Sequence, residues 1–314
     1  MSMKNGHIAA VLTAFARATA VPWGKVLPAV AVMGAVTLIS GCVTESQGKP
    51  TAKLGENAQQ ALTDIFQKKD PHAVDHWFDK SLVQHDPLLA DGLEGERAFA
   101  RDVASSPNAS ITIYRTLVDG DLVLTHSRYE GLKDRPTLIA FDLFRFKHGK
   151  IVEHWGGQEP LAKPNASGHT QFDGGTTVTD LDKTEANRTV VQSFKQAVMV
   201  EQHFERMGEF MDTAHYVQHA SRIGDGAGSL KTRFKSVLDA GPGSAKPKAG
   251  PVLQPRRYVA EGNFVLALVD ANTVEAHTAN YDLFRVENGK IIEHWDVLSV
   301  IPPPEQRKNG NDPF

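Results

Sequence analysis

The chain carries one cysteine, Cys42, in 314 residues. It can therefore close no internal disulfide and build no zinc site on paired cysteines. An excess of charge is missing as well: 34 Lys and Arg face 37 Asp and Glu. No Lys/Arg run marks a nucleic-acid footprint, so nucleic acid is not an expected partner. The apolar run 26–39 falls short of the roughly 20 residues that a membrane-spanning helix needs. Histidine is plentiful, at 13 residues, but metal-ligand spacing is scarce. His72 and His76 stand four apart without the carboxylate of the metalloprotease pattern, and read as a solvated helix face. No metal and no cofactor is expected.

What is present starts with an export signal. Lys4, Arg17 and Lys25 precede the run 26–39, which suits the apolar region of a signal peptide. Leu38-Ile39-Ser40-Gly41-Cys42 follows and resembles the bacterial lipobox, in which the thiol takes a diacylglycerol and the chain is cut before the cysteine. That resemblance implies a signal peptide over 1–41, lipidation of Cys42, a polar tether over 42–53 and a lipid-anchored protein of the cell envelope. Val43 is not the aspartate that resembles an inner-membrane retention signal, which favours the outer membrane if the organism is Gram-negative.

The remainder repeats itself. Val83-Gln84-His85 returns as Val217-Gln218-His219, and Asp91-Gly92 as Asp225-Gly226. Further on, Asp142-Leu143-Phe144-Arg145 returns as Asp282-Leu283-Phe284-Arg285, and Gly149 to Trp155 as Gly289 to Trp295. The order is kept, as a tandem duplication requires. His72 and His76 have no counterparts in the second copy. Each copy reads helices first and strands afterwards. Ala58, Ala61, Leu62, Ile65 and Phe66 keep a helical stripe, and Asp70-Pro71 opens a second helix with Val74, Trp77 and Phe78 on one face. Strands are expected over 111–117, 122–129, 137–146 and 150–155, with tight turns at Asp119-Gly120, His148-Gly149 and Asn288-Gly289. The fold class is α+β: two tandem cone-shaped domains, each with N-terminal helices packed on a curved antiparallel sheet. Their boundaries are 54–160 and 184–301, joined by a linker over 161–183. A flexible insertion is expected at 241–255 and a disordered, proline-led tail at 302–314. Each domain is expected to close its own core.

Taken in order, Val-Gln-His, Asp-Gly, Asp-Leu-Phe-Arg and Asn-Gly-Lys-Ile-Ile-Glu-His-Trp-Asp resemble the SnoaL-like branch of the nuclear-transport-factor-2-like superfamily. That branch includes polyketide cyclases and predicted aldol-condensation enzymes. The resemblance implies an apolar pocket between sheet and helices, and an acid–base aspartate directly after Glu-His-Trp. That position is Asp296 in the second copy and Gly156 in the first. Conversely, His126 in the first copy stands where the second has Leu268.

The candidate catalytic set is therefore Asp296, His294, Tyr281 and His219, and the candidate ligand-binding set is His85, His126, Asp142, His154, Asp282 and Arg285. With a plain two-residue turn at Asn288-Gly289, Asp282 falls opposite Trp295 and Tyr281 opposite Asp296. Asp282 and Asp296 then lie on opposite faces unless a bulge intervenes. On that register Arg285 and Asp296 share a face, where an ion pair between them is the alternative to a catalytic role. Trp77, Trp155 and Trp295 read as core. The incomplete polar sets favour a lipid-anchored envelope protein that binds a small apolar ligand or a partner without catalysis. An aldol, cyclase or isomerase enzyme working from the second domain, and a structural envelope component, are the alternatives. Pairing of the two domains within one chain stays open, as does the oligomeric state.

Overall fold

The computed structural model describes residues 50–239, 252–273 and 275–314; the lipobox with Cys42 and the segment 240–251 lie outside them. The first domain runs through α1 (Pro50–Phe66), α2 (Ala73–Trp77), β1 (Phe78–Gln84), α3 (Leu93–Ala104), β2 (Ser110–Asp119), β3 (Leu122–Glu130), β4 (Leu138–Lys147) and β5 (Lys150–Pro160). The second follows with α4 (Thr184–Phe194), a π-helical segment Lys195–Val200, α5 (Met207–Phe210), β6 (Val217–Gln218), α6 (Gly226–Asp239), β7 (Val252–Glu261), β8 (Phe264–Asn272), β9 (His277–Glu287) and β10 (Lys290–Val300). The two sheets have the same plan, β1-β5-β4-β3-β2 and β6-β10-β9-β8-β7. The α+β class with helices on one face of each sheet holds.

Two local expectations change. Phe78 does not extend the second helix but begins β1, which pairs in parallel with β5 beside an otherwise antiparallel meander. Residues 252–255 leave the expected insertion and open β7. Pro255 is tolerated there because β7 is an edge strand, where a missing N–H costs no ladder bond.

The turns behave as their residues dictate. Asn288 and Gly289 both take positive φ, 51° and 73°, and His148 and Gly149 do the same at 51° and 78°. This is the geometry of a tight hairpin turn that matches strand twist. Each hairpin then acquires a bulge: the ladder skips Val152 between β4 and β5, and Ile292 between β9 and β10.

Apolar residues gather in three clusters rather than two. One lies under α1–α3 and includes Phe66, Phe78 and Phe144; another lies under α4–α6 and includes Phe194, Tyr216 and Phe284. The third is shared between the sheets and joins Leu124, Phe141 and Trp155 to Leu266, Tyr281 and Trp295. Separate cores were expected; the outward faces of the two sheets are themselves apolar and bury each other. Tyr281 lies flat against Phe141, with ring centroids 6.1 Å apart and 4° between planes. A β-carbon on Gly157 would stand 2.2 Å from the Tyr281 ring, so glycine alone fits that crossing. Guanidinium groups cross over reciprocally, Arg115 above Trp295 at 4.0 Å and Arg257 above Trp155 at 4.3 Å.

The segments after each sheet also cross over. From the linker, Asn165 donates to Gln218 O at 2.6 Å. From the tail, Asn309 donates to Asp86 O and Leu89 O at 2.7 and 2.8 Å, and Asn311 to Gln84 O at 2.9 Å. The tail 302–314, expected to be disordered, is thus a strap laid along the first domain. Its proline- and asparagine-rich composition lacks an apolar stripe because it binds through amide side chains and backbone instead.

Candidate active site in the second domain

The cavity of the second domain has a volume of about 200 Å³ and opens between α4, α6 and the helix-facing side of β9 and β10. Its walls are largely apolar, with Phe194, Met199, Leu230, Phe234 and Phe284 among them. Four buried ionisable side chains face it from the helix and the strands, Lys195, Asp282, His294 and Asp296, and Arg222, Arg233 and Glu275 also line it.

The bulge at Ile292 explains why both aspartates face one way. Skipping one residue pairs Asp296 with Asp282 and His294 with Phe284. The plain-turn register is thereby shifted by one, and Asp282, His294 and Asp296 share the cavity face. Tyr281 moves to the opposite face and belongs to the shared core. His219 also leaves the expected catalytic set. It stacks on Trp295 at 4.7 Å and bonds Asp173 and Glu293, at the rim of the domain junction. Arg285 pairs with Glu293 at 2.5 Å, so no Arg285–Asp296 ion pair forms.

Lys195 was not found from sequence. Its Nζ lies 2.5 Å from Asp282 Oδ2 and 5.0 Å from the Phe284 ring centroid. The signal was present, since Val191, Phe194, Lys195 and Val198 form one stripe at spacing i, i+3, i+4, i+7. A lysine on that stripe must find an anion inside. The π-helical turn that starts at Lys195 widens the helix where the side chain enters, a distortion common at functional positions.

The two aspartates are driven apart in acidity. Burial opposes ionisation of Asp282, but the Lys195 charge and the His294 ring, with Nε2 at 3.3 Å, hold it down to about 2. Asp296 is pushed up to about 8, first by burial and then by the charges of Glu159 and Asp282, with Arg222 and Lys195 pulling weakly the other way. Asp296 Oδ1 has no hydrogen-bond partner among the described residues. His294 is lowered by burial, although Asp282 pulls it upward. At neutral pH the cavity therefore holds the buried Lys195–Asp282 ion pair beside a protonated carboxyl, with a second pair, Arg233–Glu275, in its wall. Glu159, from the end of β5, reaches across and pairs with Arg222 at 2.8 Å, so the first domain helps to set the field at Asp296.

The first domain answers with a different set. Its cavity, about 230 Å³, includes Tyr129, Asp142, His154 and Asp86. Asp142 accepts from Tyr129, where the second domain has Ala271 in place of the tyrosine and uses Lys195. His154 lies between two carboxylates, with Nδ1 2.8 Å from Glu96 and Nε2 3.2 Å from Asp142. Burial opposes its charge, yet Glu96 and Asp142 raise it to about 10, which makes it a locked imidazolium. Gly156 stands where the second domain has Asp296, but Asp86 fills the gap: a β-carbon on Gly156 would lie 3.0 Å from Asp86 Oδ2. Burial pushes Asp86 up to about 6. The carboxyl beside this position therefore comes from the loop after β1 in the first domain and from β10 in the second, where Ala220 replaces Asp86.

His85 and His126, expected to bind ligand, face the domain junction instead. His85 stacks on Trp155 at 4.3 Å and its Nδ1 meets Asp312 O at 2.6 Å. His126 stacks on Phe141 at 4.3 Å and its Nδ1 meets Arg115 at 3.0 Å.

Known proteins similar to this chain match about a third of its length. Residues 59–154 match the family model of the SnoaL-like domain. No curated protein matches the chain. Among solved structures, TsrD from Streptomyces laurentii is 22% identical, covers 34% of this chain and 89% of its own, and has a TM-score of 0.30. A protein of unknown function from Mesorhizobium loti, described as NTF2-like, is 22% identical over 35% of this chain and 93% of its own, with a TM-score of 0.31. A provisionally named polyketide cyclase of Bacillus cereus is 22% identical over 34% of this chain and 74% of its own, also at 0.31. The first domain, over residues 59–154, is thus similar to the SnoaL-like domain.

Proposed function

We propose that the second domain binds a compact, largely apolar carbonyl compound and moves a proton on it, with Asp296 as the acid–base group. The observation that carries this reading is Asp296 itself: buried in a cavity, unpartnered, and protonated up to about pH 8 beside a second aspartate held at about 2. Two titratable groups driven apart by their surroundings are what acid–base chemistry at neutral pH requires. The protonated carboxyl gives its proton to a carbonyl oxygen. Its ionised form takes a proton from the adjacent carbon. Lys195 and Asp282 supply a fixed dipole in the wall. The cavity, at about 200 Å³, is smaller than the roughly 300–1,000 Å³ of drug-sized sites, so a compact substrate is favoured. The test is solvent deuterium exchange into small enolisable ketones, followed by NMR. The protein should catalyse exchange, and Asp296→Asn should lower the rate by roughly 10²–10⁴-fold. Exchange that is unchanged in the variant removes Asp296 from the chemistry.

A second reading, binding without turnover, is supported by the tied state of His294, whose Nδ1 lies 2.9 Å from Gln218 and whose Nε2 faces Asp282. Asp296 is then the only untied proton carrier among these groups. A ligand that stabilises the fold by roughly 2.7 kcal/mol at a hundred times its Kd, with no exchange, favours this reading.

We further propose that the protein is lipid-anchored in the cell envelope through Cys42. Cys42→Ser should abolish labelled palmitate incorporation and leave an unprocessed precursor. Equal labelling of the variant contradicts the anchor.

A further inference from the structure

The linker was expected to be a bare connection, and no metal was expected anywhere. Yet at its centre residues 169–175 bring two histidines to one carboxylate. Asp173 Oδ1 lies 2.6 Å from His219 Nδ1, and Asp173 Oδ2 lies 3.8 Å from His169 Nδ1. One ligand atom from each of His169, Asp173 and His219 falls within 4.8 Å of the other two. The far nitrogen of each ring is held by a further carboxylate. His169 Nε2 faces Asp225 Oδ2 at 3.2 Å, and His219 Nε2 faces Glu293 Oε1 at 2.8 Å.

We propose that His169, Asp173 and His219 form a binding site for a first-row divalent cation of the zinc type, which clasps the linker to the second domain. Two imidazoles and one carboxylate form a donor set suited to such a cation and leave a coordination position for water. The outer carboxylates do what metal sites need: each takes one ring N–H, which fixes the tautomer and turns the other nitrogen toward the metal. The frame is held by contacts of its own. Arg115 donates to Asp173 O at 2.6 Å and to Gly175 O at 2.7 Å, and Trp295 Nε1 donates to Asp173 O at 2.8 Å. Gly174, at φ 87°, passes so close that a β-carbon would lie 2.1 Å from Glu293 Oε1 and 2.7 Å from His219 Nε2. The equivalent histidine of the first domain, His85, meets only the carbonyl of Asp312 through its Nδ1. The site is therefore particular to the second half.

The test is titration of the chelator-treated full chain with Zn²⁺ by calorimetry, together with the visible spectrum of its Co²⁺ form. One ion should bind per chain, and the thermal unfolding midpoint should rise, because an ion that binds only the folded chain stabilises it. His169→Ala and Asp173→Asn should each weaken binding at least tenfold and remove the Co²⁺ bands. Asp225→Asn should weaken it by roughly 10–100-fold through the outer shell. His203→Ala, at an exposed histidine that pairs only with Glu201 and Glu205, should change nothing. Absence of binding in the parent chain overturns the proposal, as does binding that persists unchanged in both His169→Ala and Asp173→Asn.

Discussion

Replacing Asp296 with asparagine removes a group that the fold must desolvate in order to ionise. Its pKa is raised from an ordinary 3.8 to about 8 in the folded chain. The folded state therefore holds a proton that the unfolded chain gives up, and stability declines as pH rises from about 4 through about 8. Asp296→Asn escapes that decline and should be more stable than the parent at pH 9 by at least about 1 kcal/mol, with the difference closing near pH 4. Denaturant unfolding at the two pH values measures it. Asp282 behaves in the opposite sense: held at about 2, it contributes stability above its ordinary value that is lost as pH falls through 2. Asp282→Asn leaves the Lys195 ammonium buried without its partner and should cost roughly 3–5 kcal/mol in urea unfolding. Adding Lys195→Met should recover most of that loss; no recovery would deny the pair its role. His294 was legible as a candidate because Glu-His-Trp repeats, and Asp296 because the family resemblance places an acid–base aspartate directly after it. Lys195 was hidden because a lysine reads as a surface residue until the apolar stripe that carries it is traced.

At the scale of elements, the strands were legible together with the turns at His148-Gly149 and Asn288-Gly289, where both residues take positive φ; in the expected Asp119-Gly120 turn only Gly120 does, and Asp119 still belongs to β2. The register was not. The bulged residue, Ile292, is an ordinary strand former, and nothing local marks it as unpaired. One such residue decides whether Asp282 and Asp296 oppose each other or lie on separate faces, and so decides the site. The tail escaped recognition for a related reason: its anchors, Asn309 and Asn311, bond backbone more than 200 residues away. It also adds Lys308 to the wall of the first cavity. Removing 302–314 should lower the thermal midpoint and speed amide exchange in the loop 85–92, while the exchange of α4 stays as it was. Unchanged exchange in that loop would mean the strap adds nothing to the first domain.

On the scale of the whole molecule, two sheets of the same strand order form a pseudo-symmetric pair in which each covers the apolar face of the other. Separate halves expose that face, so 54–160 alone should self-associate or precipitate; a monomer that unfolds cooperatively would contradict the shared core. Pseudo-symmetry also makes the differences informative. The first domain closes Tyr129, Asp142, His154 and Glu96 into a satisfied network, whereas the second leaves one carboxyl open and borrows the charge of Glu159 from its neighbour to keep it protonated. Glu159→Gln should accordingly lower the pKa of Asp296. The central claim is that the second cavity holds a carboxyl poised for proton transfer, and direct titration of Asp296 tests it most plainly. Carboxyl ¹³C NMR of the labelled full chain, with Asp296→Asn to assign the resonance, should show a transition near pH 8. A transition in the ordinary aspartate range, near 4, would contradict the account.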